Sequence, residues 1–325
     1  MNPQMEAEPV VKLEIPMRRN PLGKTFSYLL KESATLIDTG VPTREAMRAL
    51  ESQLQRQGFK PGSLERVILT HLHVDHMGLA ERLSALGVEI WASAQACERL
   101  EVLREESERF FDLLVEEAQA FGAQEYLGYI DSLRHLLPPT PPNLEVDQTI
   151  GDGQTINLPG ATLKAIWTPG HAPEHLCLHW ESQRILFSGD HVLPKITSHI
   201  SLRPHQDQDP LADYLDSLGK VEGLDARIVH PGHQWSFENL AQRVKELRQH
   251  HRQRLEEIHR AIKGKERTVF QVASQVHWES RPWRQMDFWT KRMAAAETYA
   301  HLKHLENLGK AHSTLKNSPL RFTAL

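Results

Sequence analysis

Four side chains that commonly bind metal ions lie within six residues: His71, His73, Asp75 and His76. They follow a short hydrophobic run, residues 66–69, that is typical of a buried strand. In an extended chain, residues two apart project to the same side, so His71 and His73 face one direction. Imidazole nitrogens suit zinc, and a carboxylate adds negative charge to a cation site. The cluster therefore predicts a metal site at the end of this strand.

Three later predicted strands end in the same kind of residue. His171 follows ATLKAIW within TPGH, Asp190 ends RILFSGD, and His233 ends ARIVHPGH. Strand ends can converge on one rim of a core, so these residues are expected to join the first cluster. The predicted metal ligands are His71, His73 and His171 for one ion, Asp75, His76 and His233 for a second ion, and Asp190 as the bridge between them.

A pair of divalent ions predicts hydrolysis. Two ions about 3.5 to 4 Å apart hold a water and lower its pKa toward about 7, which supplies a metal-bridging hydroxide. The ligand set favours Zn²⁺, and it also fits Mn²⁺ or Fe²⁺. Asp75 and His175 are the predicted catalytic residues, since His175 follows His171 by four residues and can hydrogen-bond near the metal or the substrate.

The elements that must position these residues alternate between strands and helices, which predicts an α/β fold. The runs VKLEIPM, FSYLLKE and ATLIDTG are typical of an antiparallel meander. An amphipathic helix follows, capped by Thr43 and ended by Gly58, with Ala46, Leu50 and Leu54 at helical spacing. A further helix is predicted to begin near Met77.

A long apolar helical stretch interrupts this pattern. It covers roughly residues 95–142, is predicted as an inserted helical hairpin, and ends in the stiff segment PPTPP. One interpretation is a cover for one end of the core, and the other is a lid or dimer contact over an active site. The insertion is assigned to a first domain, residues 1–240.

Residues 241–325 form the second predicted domain, which is basic and helical. They hold 17 Lys and Arg against 8 Asp and Glu, whereas the whole chain has a net charge of −4. A short helix at residues 269–276, a longer helix ending at Gly309 and a terminal hairpin predict a winged-helix-like module. The basic charge fits a nucleic-acid partner or docking on an acidic domain. For the tryptophans at positions 278, 283 and 289 we favour a small hydrophobic core, and for residues 250–254 a solvated helix face.

Composition excludes several classes of protein. The 325 residues are 40% hydrophobic, and no apolar stretch approaches the roughly 18 residues that a membrane span needs. The amino terminus resembles neither a signal peptide nor a transit peptide, which predicts a cytoplasmic protein. Two distant cysteines, Cys97 and Cys177, predict no disulfide framework, and both are expected to be buried. The sequence does not fix an oligomeric state.

With its motifs LIDTG, THLHVDHMG, TPGH, SGD and HPGH, all between residues 34 and 233, the chain resembles the metallo-β-lactamase superfamily. The resemblance implies an αββα sandwich with a dinuclear metal site at one edge, and Asp38 as a support for the metal loop. The basic extension and the segment GDHVLPKITSHISL resemble the glyoxalase II-like, lactamase-like protein 2 and bacterial metallo-hydrolase group. Gln234 departs from the pattern, since many members have glycine there.

The sequence favours a small acyl substrate, above all a thioester such as an acyl-CoA or a glutathione conjugate. One alternative keeps the same metals but cleaves single-stranded RNA as an endoribonuclease or phosphodiesterase, with the basic tail attracting the backbone. Another is hydrolysis of lactones or other esters. A non-enzymatic module with a structural metal fits less well, because structural zinc sites are usually rich in sulfur.

Overall fold

The computed structural model describes residues 9–18, 20–135, 140–204, 206–279, 281–313 and 319–325. Internal contacts divide the chain into two compact units. The first contains Met1–Leu100, Asn143–Ser198 and Ser217–Arg243, and the second contains Glu101–Pro142, His199–Asp216 and Val244–Leu325. The last junction lies close to the predicted boundary at residue 240. The helical insertion, however, falls in the second unit and not in the predicted 1–240 domain; part of its PPTPP segment lies outside the described residues.

Two β-sheets form the centre of the first unit. The six-stranded sheet has the order β1-β2-β3-β4-β5-β6, with β1 (Val10–Pro16), β2 (Lys24–Leu30), β3 (Thr35–Ile37), β4 (Arg66–Ile68), β5 (Glu89–Ser93) and β6 (Gln148–Ile150). The five-stranded sheet has the order β11-β10-β9-β8-β7, with β7 (Thr155–Leu158), β8 (Ala161–Trp167), β9 (Leu176–Trp180), β10 (Ile185–Gly189) and β11 (Ile228–Pro231). The predicted meander is confirmed, since β2 pairs antiparallel with both β1 and β3.

Strand direction determines where the ligand loops meet. In the first sheet β3 and β4 are parallel, so the chain leaves both strands at the same edge. In the second sheet β9 is antiparallel to both β8 and β10, and β10 is parallel to β11. Strands β8, β10 and β11 therefore run in one direction, and their carboxyl ends share an edge. The predicted convergence of strand ends follows from this topology.

One hydrophobic core joins the two sheets. Its buried residues include Phe26 and Tyr28 from β2, and Leu163, Leu178 and Phe187 from the second sheet. The rings of Tyr28 and Phe187 meet edge to face, with centroids 5.5 Å apart. Burial of one such side chain stabilises the fold by about 1.5–3 kcal/mol, so this core fixes the two sheets face to face.

The helices wholly within the first unit are short, apart from the first: α1 (Arg44–Arg56), α2 (Val74–Met77) and α3 (Ala80–Ser84). The predicted cap of α1 is confirmed, because the Ala46 N–H donates to Thr43 Oγ1 at 3.1 Å. Gln53 connects α1 to β1 by two hydrogen bonds. Its side-chain amide donates to the Glu14 carbonyl at 2.8 Å and accepts from the Glu14 N–H at 2.9 Å.

The second unit is mainly helical. Its elements, including three helices that cross a unit junction, are α4 (Ala96–Glu108), α5 (Phe110–Phe121), α6 (Leu127–Leu133), α7 (Pro210–Glu222), α8 (Leu240–Ile262), α9 (Val269–Ala273) and α10 (Phe288–Asn307), with a small sheet of β12 (Arg267–Thr268), β13 (Ala311–Ser313) and β14 (Arg321–Ala324). The insertion thus contains three α-helices where a hairpin was predicted. The predicted short helix and long helix are present, and the strands of the predicted hairpin are the antiparallel pair β13 and β14, while residues 314–318 between them lie outside the described residues.

Shared packing explains why the insertion belongs to the second unit. Leu114 and Ile130 from the insertion form one hydrophobic cluster with Phe270 and Phe288. Beside it, Arg292 of α10 donates to the buried Glu117 of α5 at 2.8 Å. These partners are more than 130 residues apart in the chain, so local sequence patterns carry no record of their contact.

Two expectations about burial are wrong. Cys97 is exposed, because it lies on the outer side of α4, whereas Cys177 is buried as predicted. The solvated face predicted for residues 250–254 is wrong at His251 and Arg254, which are buried, whereas Arg252 is exposed. Arg254 donates to the His277 carbonyl at 2.8 Å and stacks on the Trp278 ring. Trp278 and Trp283 pack on the core of this unit, as favoured, while Trp289 is partly exposed.

Candidate metal centre

The first four candidate ligands lie at the junction of β4 with α2. His71 and His73 follow the strand in extended chain, and Asp75 and His76 lie in the first turn of α2. This helix begins at Val74, three residues before the predicted start, with His73 as its N-cap. His76 thus projects from a helical turn and His71 from extended chain, and their ring centroids lie 4.1 Å apart.

The structure brings all seven predicted ligands together at one edge of the first unit. Within each of three groups, the candidate ligand atoms lie within 4.8 Å of one another. These groups are His71, His73 and His171; Asp75, His76 and His233; and His71, His76 and Asp190. The first two are the sets that we assigned to separate ions, and the third places Asp190 with one histidine from each.

Asp190 lies between the two sets. Its Oδ2 is 3.3 Å from His233 Nε2 and 3.7 Å from His171 Nε2, and its Oδ1 is 3.5 Å from His76 Nε2. Asp75 Oδ2 is also 3.3 Å from His233 Nε2. One carboxylate therefore reaches imidazoles of both sets, as a bridging ligand must.

Hydrogen bonds orient three of the imidazoles so that Nε2 faces the centre. The Nδ1 atom of His76 lies 2.8 Å from Asp38 Oδ2, and that of His71 lies 3.0 Å from Thr70 Oγ1. The Nδ1 atom of His233 lies 3.2 Å from the Lys24 carbonyl. Such partners fix the ring orientation and the tautomer of a metal-binding histidine.

Asp38 connects two parts of the ligand loop, in the supporting role that the resemblance implied. Its Oδ1 accepts from the Thr70 N–H and its Oδ2 accepts from the Thr70 hydroxyl, both at 2.8 Å. The same Oδ2 contacts His76. Thr70 was missed in the sequence, because a threonine beside a histidine gives no separate signal of its own.

His175 is brought to the site but is fully buried. The Asp190 N–H donates to its Nε2 at 3.2 Å, so Nδ1 carries the proton and donates to the Thr168 hydroxyl at 2.8 Å. Both ring nitrogens are engaged in holding the protein backbone and a neighbouring side chain. This geometry gives His175 the role of positioning Asp190, with no free nitrogen for a substrate.

Two glycines leave room for this arrangement. Gly189 has φ +47°, and a Cβ there would lie 2.6 Å from His175 Nε2. A Cβ at Gly232 would lie 2.4 Å from Asp190 Oδ1 and 2.5 Å from His76 Cε1. Gln234 has φ 73°, a backbone conformation that favours glycine. Its side chain offsets that strain by accepting from the N–H groups of Lys195 and Ile196.

Charge pairing sets the protonation of the cluster. Burial would raise the pKa of Asp190, but His76 and His233 hold it well below its usual range. Burial would lower the pKa of His76, but Asp190 and Asp38 raise it well above the usual value. The same balance raises the pKa of His233 to about 9. A cation that binds here displaces protons from these imidazoles and takes over the stabilisation of the buried carboxylate.

The residues fit a pair of divalent metal ions. Imidazole nitrogens and carboxylate oxygens, the atoms that bind metal ions, converge at this site. Among the described residues, the buried atoms His76 Nε2 and Asp190 Oδ1 have no hydrogen-bond partner. A buried polar atom without a partner costs about 1–3 kcal/mol, so these atoms are best explained as ligands. The described thiols, Cys97 and Cys177, are not in any of the three ligand groups.

A two-sheet sandwich with histidines and aspartates gathered at one edge defines a metal-dependent hydrolase. The model of the metallo-beta-lactamase superfamily matches residues 20–233, and the chain belongs to this superfamily. A probable metallo-hydrolase from Bacillus subtilis is 29% identical over 282 residues, which is 84% of this chain and 86% of that protein.

Two further similarities are with a named enzyme and with a solved structure. An atrochrysone carboxyl ACP thioesterase from Aspergillus fumigatus is 32% identical over 227 residues, 69% of this chain and 55% of that protein. The crystal structure of a beta-lactamase domain protein from Burkholderia ambifaria matches with a TM-score of 0.80 at 26% identity, over 98% of this chain and 92% of that chain. In the described ranges, no helix is long and apolar enough to cross a membrane.

Proposed function

We propose that this protein hydrolyses small acyl thioesters, such as acyl-CoA or glutathione conjugates, with two divalent ions, most simply Zn²⁺. The observation that carries the proposal is the convergence of two ligand sets on Asp190. His71, His73 and His171 would hold one ion, Asp75, His76 and His233 would hold the other, and Asp190 lies between the two sets. Similarity to a protein named as a thioesterase supports an acyl substrate.

Bound ions of this kind supply a water activated at neutral pH and polarise the carbonyl that it attacks. Neighbouring side chains of the protein fix the positions of the metal ligands. Asp38 and Thr70 orient the imidazoles of His76 and His71, and His175 holds the Asp190 backbone. The Asp75 side chain is 21% exposed, which makes it the carboxylate of the second ligand set that can accept a proton from water at the opening of the site.

Exposed apolar side chains beside the ligands favour an apolar portion in the substrate. Val74, between His73 and Asp75, is 57% exposed, and Trp235, two residues after His233, is 49% exposed. A contiguous exposed apolar patch marks a contact surface, and we propose that these two side chains belong to such a patch. We expect Trp235→Ala to raise KM for long acyl chains more than for acetyl, with kcat little changed.

The test is release of free thiol from a panel of acyl-CoA and glutathione thioesters by protein reconstituted in turn with Zn²⁺, Mn²⁺ and Fe²⁺. Asp190→Ala is the matched control. Metal-dependent release that the variant lacks supports the proposal, and the most active ion identifies the preferred metal. Release from lactones or oxygen esters alone would replace the thioester with that substrate class.

Cleavage of single-stranded RNA is the second candidate, and one observation favours it. Lys245, Arg248 and Arg252 of α8 recur at helical spacing and line one shallow surface depression. Contacts of such residues with phosphates weaken steeply as salt increases. RNA cleavage that falls with salt, together with no thiol release, would favour this candidate. Thioester hydrolysis should change little over the same salt range.

A further inference from the structure

Glu174 carries a buried carboxylate in the loop between β8 and β9, and the candidate metal-ligand groups do not include it. The residue is 2% exposed. Its Oε1 accepts from the Leu72 N–H at 2.9 Å. Its Oε2 is also buried and, among the residues that the structure describes, has no hydrogen-bond partner.

The bond from Glu174 joins two ligand loops that are far apart in sequence. Leu72 lies between His71 and His73 in the loop after β4, whereas Glu174 lies three residues after His171 in the loop after β8. A second bond runs beside it, because the Leu176 N–H donates to the Thr70 carbonyl at 2.7 Å. The two bonds reach the backbone on either side of His71, so together they fix this histidine relative to His171.

Burial of the Glu174 carboxylate lowers the stability of the fold, so stability does not explain its position. Burial raises the pKa of Glu174, although the Leu72 N–H and the charge of Arg99 act in the opposite direction. Within the described part of the chain, only Oε1 of this carboxylate has a hydrogen-bond partner. A solvated loop residue would avoid this cost, so a use for the bond at the site is the better explanation.

We propose that Glu174 is a positioning residue that holds the His71–His73 loop against His171 and thereby sets the affinity of the first ligand group for its metal ion. This inference rests on the metal centre of the proposed function and is independent of which substrate is hydrolysed. Partners that orient metal ligands typically contribute about 10- to 100-fold in metal affinity. We expect a loss of that size when the bond to Leu72 is removed.

Three substitutions separate the hydrogen bond from the charge. Glu174→Ala removes both, and Glu174→Asp keeps the charge but withdraws the oxygen by one methylene. Glu174→Gln keeps an acceptor at the same reach without charge. The control is Asp147→Ala, which removes another carboxylate-to-backbone bond of this unit, from the Ile90 N–H at 2.7 Å, away from the ligands.

The measurement is metal affinity by competition with a chromogenic chelator, with circular dichroism to verify folding and amide hydrogen exchange at Leu72. In Glu174→Ala and Glu174→Asp we expect about 10- to 100-fold weaker metal binding and faster amide exchange at Leu72. In Glu174→Gln we expect both quantities to be near normal, and in the Asp147→Ala control we expect no change. Unchanged affinity in Glu174→Asp, or equal loss in Gln and Asp, would overturn the proposal. If Glu174→Ala does not fold, the metal affinities of Glu174→Asp and Glu174→Gln still test the proposal. Because no substrate is used, failure of thioester hydrolysis leaves this result intact.

Discussion

The space at Gly232 makes a sharp prediction about the metal centre. The φ of this residue lies outside the left-handed region, so alanine can adopt its backbone conformation. The added Cβ, however, would lie 2.4 Å from Asp190 Oδ1 and 2.5 Å from His76 Cε1. Gly232→Ala therefore acts by steric displacement of two metal-binding side chains, and not by backbone strain.

The expected loss of activity in Gly232→Ala follows from the distances between the added Cβ and the two ligand side chains. Ordinary contact of a Cβ begins near 3.4 Å, so Asp190 and His76 must each move by about 1 Å. A misplacement of about 1 Å at a reacting centre can reduce the rate about 100-fold. Overpacking of this kind costs about 1–3 kcal/mol, which a folded domain of this size tolerates.

The assay compares Gly232→Ala with Gly223→Ala, because a Cβ at Gly223 meets nothing within 4 Å. Metal affinity, kcat/KM and the unfolding midpoint are measured for both. We expect weaker metal binding and about 100-fold lower kcat/KM for Gly232→Ala only. A folded Gly232→Ala protein with wild-type affinity and activity would refute the steric reasoning, and with it the close approach of Asp190 and His76 to residue 232.

Four further predictions concern the metal centre and the stability of each unit. Asp190→Ala should lose most bound metal and activity, because it removes the contact shared by both ligand sets; full metal content by elemental analysis would contradict this. Removal of metal with EDTA should abolish hydrolysis and lower the unfolding midpoint, and both should return when metal is added back. Thr43→Ala should lower the free energy of unfolding by about 0.5–2 kcal/mol through loss of the α1 cap, as measured in urea, with unchanged metal affinity. Burial lowers the pKa of His301 to about 4, so the unfolded chain binds a proton at this residue more readily than the folded chain does. The stability that the neutral residue contributes is therefore complete above about pH 6.5 and is lost as the pH falls toward 4. Unfolding in urea at about pH 7.5 and pH 5 should differ by about 2 kcal/mol more in the wild type than in His301→Gln; equal differences would contradict the assignment.

Sequence patterns predict this site well where short stretches determine the geometry. A histidine two residues from another in an extended chain must share its direction, and ligands at the ends of parallel strands must share an edge. The first rule groups His71 with His73 after β4, and the second groups His171, Asp190 and His233 at one edge of the other sheet. The cap at Thr43 and the end of α1 near Gly58 are likewise local, and the structure agrees with them.

The features that the sequence did not predict depend on distant partners. The insertion joins the second unit through contacts of Leu114 and Ile130 with α9 and α10 residues far along the chain. Glu174 resembles a solvated loop residue until its bond to Leu72 is known. The start of α2 at Val74 depends on how the loop packs, since His73 caps it without a side-chain hydrogen bond.

The bonds at the site edge also tie the two sheets to each other. The Leu176 N–H reaches the Thr70 carbonyl, and the Phe26 N–H reaches the Gly232 carbonyl at 2.9 Å, each from one sheet to the other. Since the ligands come from both sheets, separating the sheets and releasing the metal become one linked equilibrium. Ligand present at about 100 times its dissociation constant adds about 2.7 kcal/mol to the folded state. In a cell starved of metal, the opened chain would be exposed to proteases, and the amount of this enzyme would follow the metal supply.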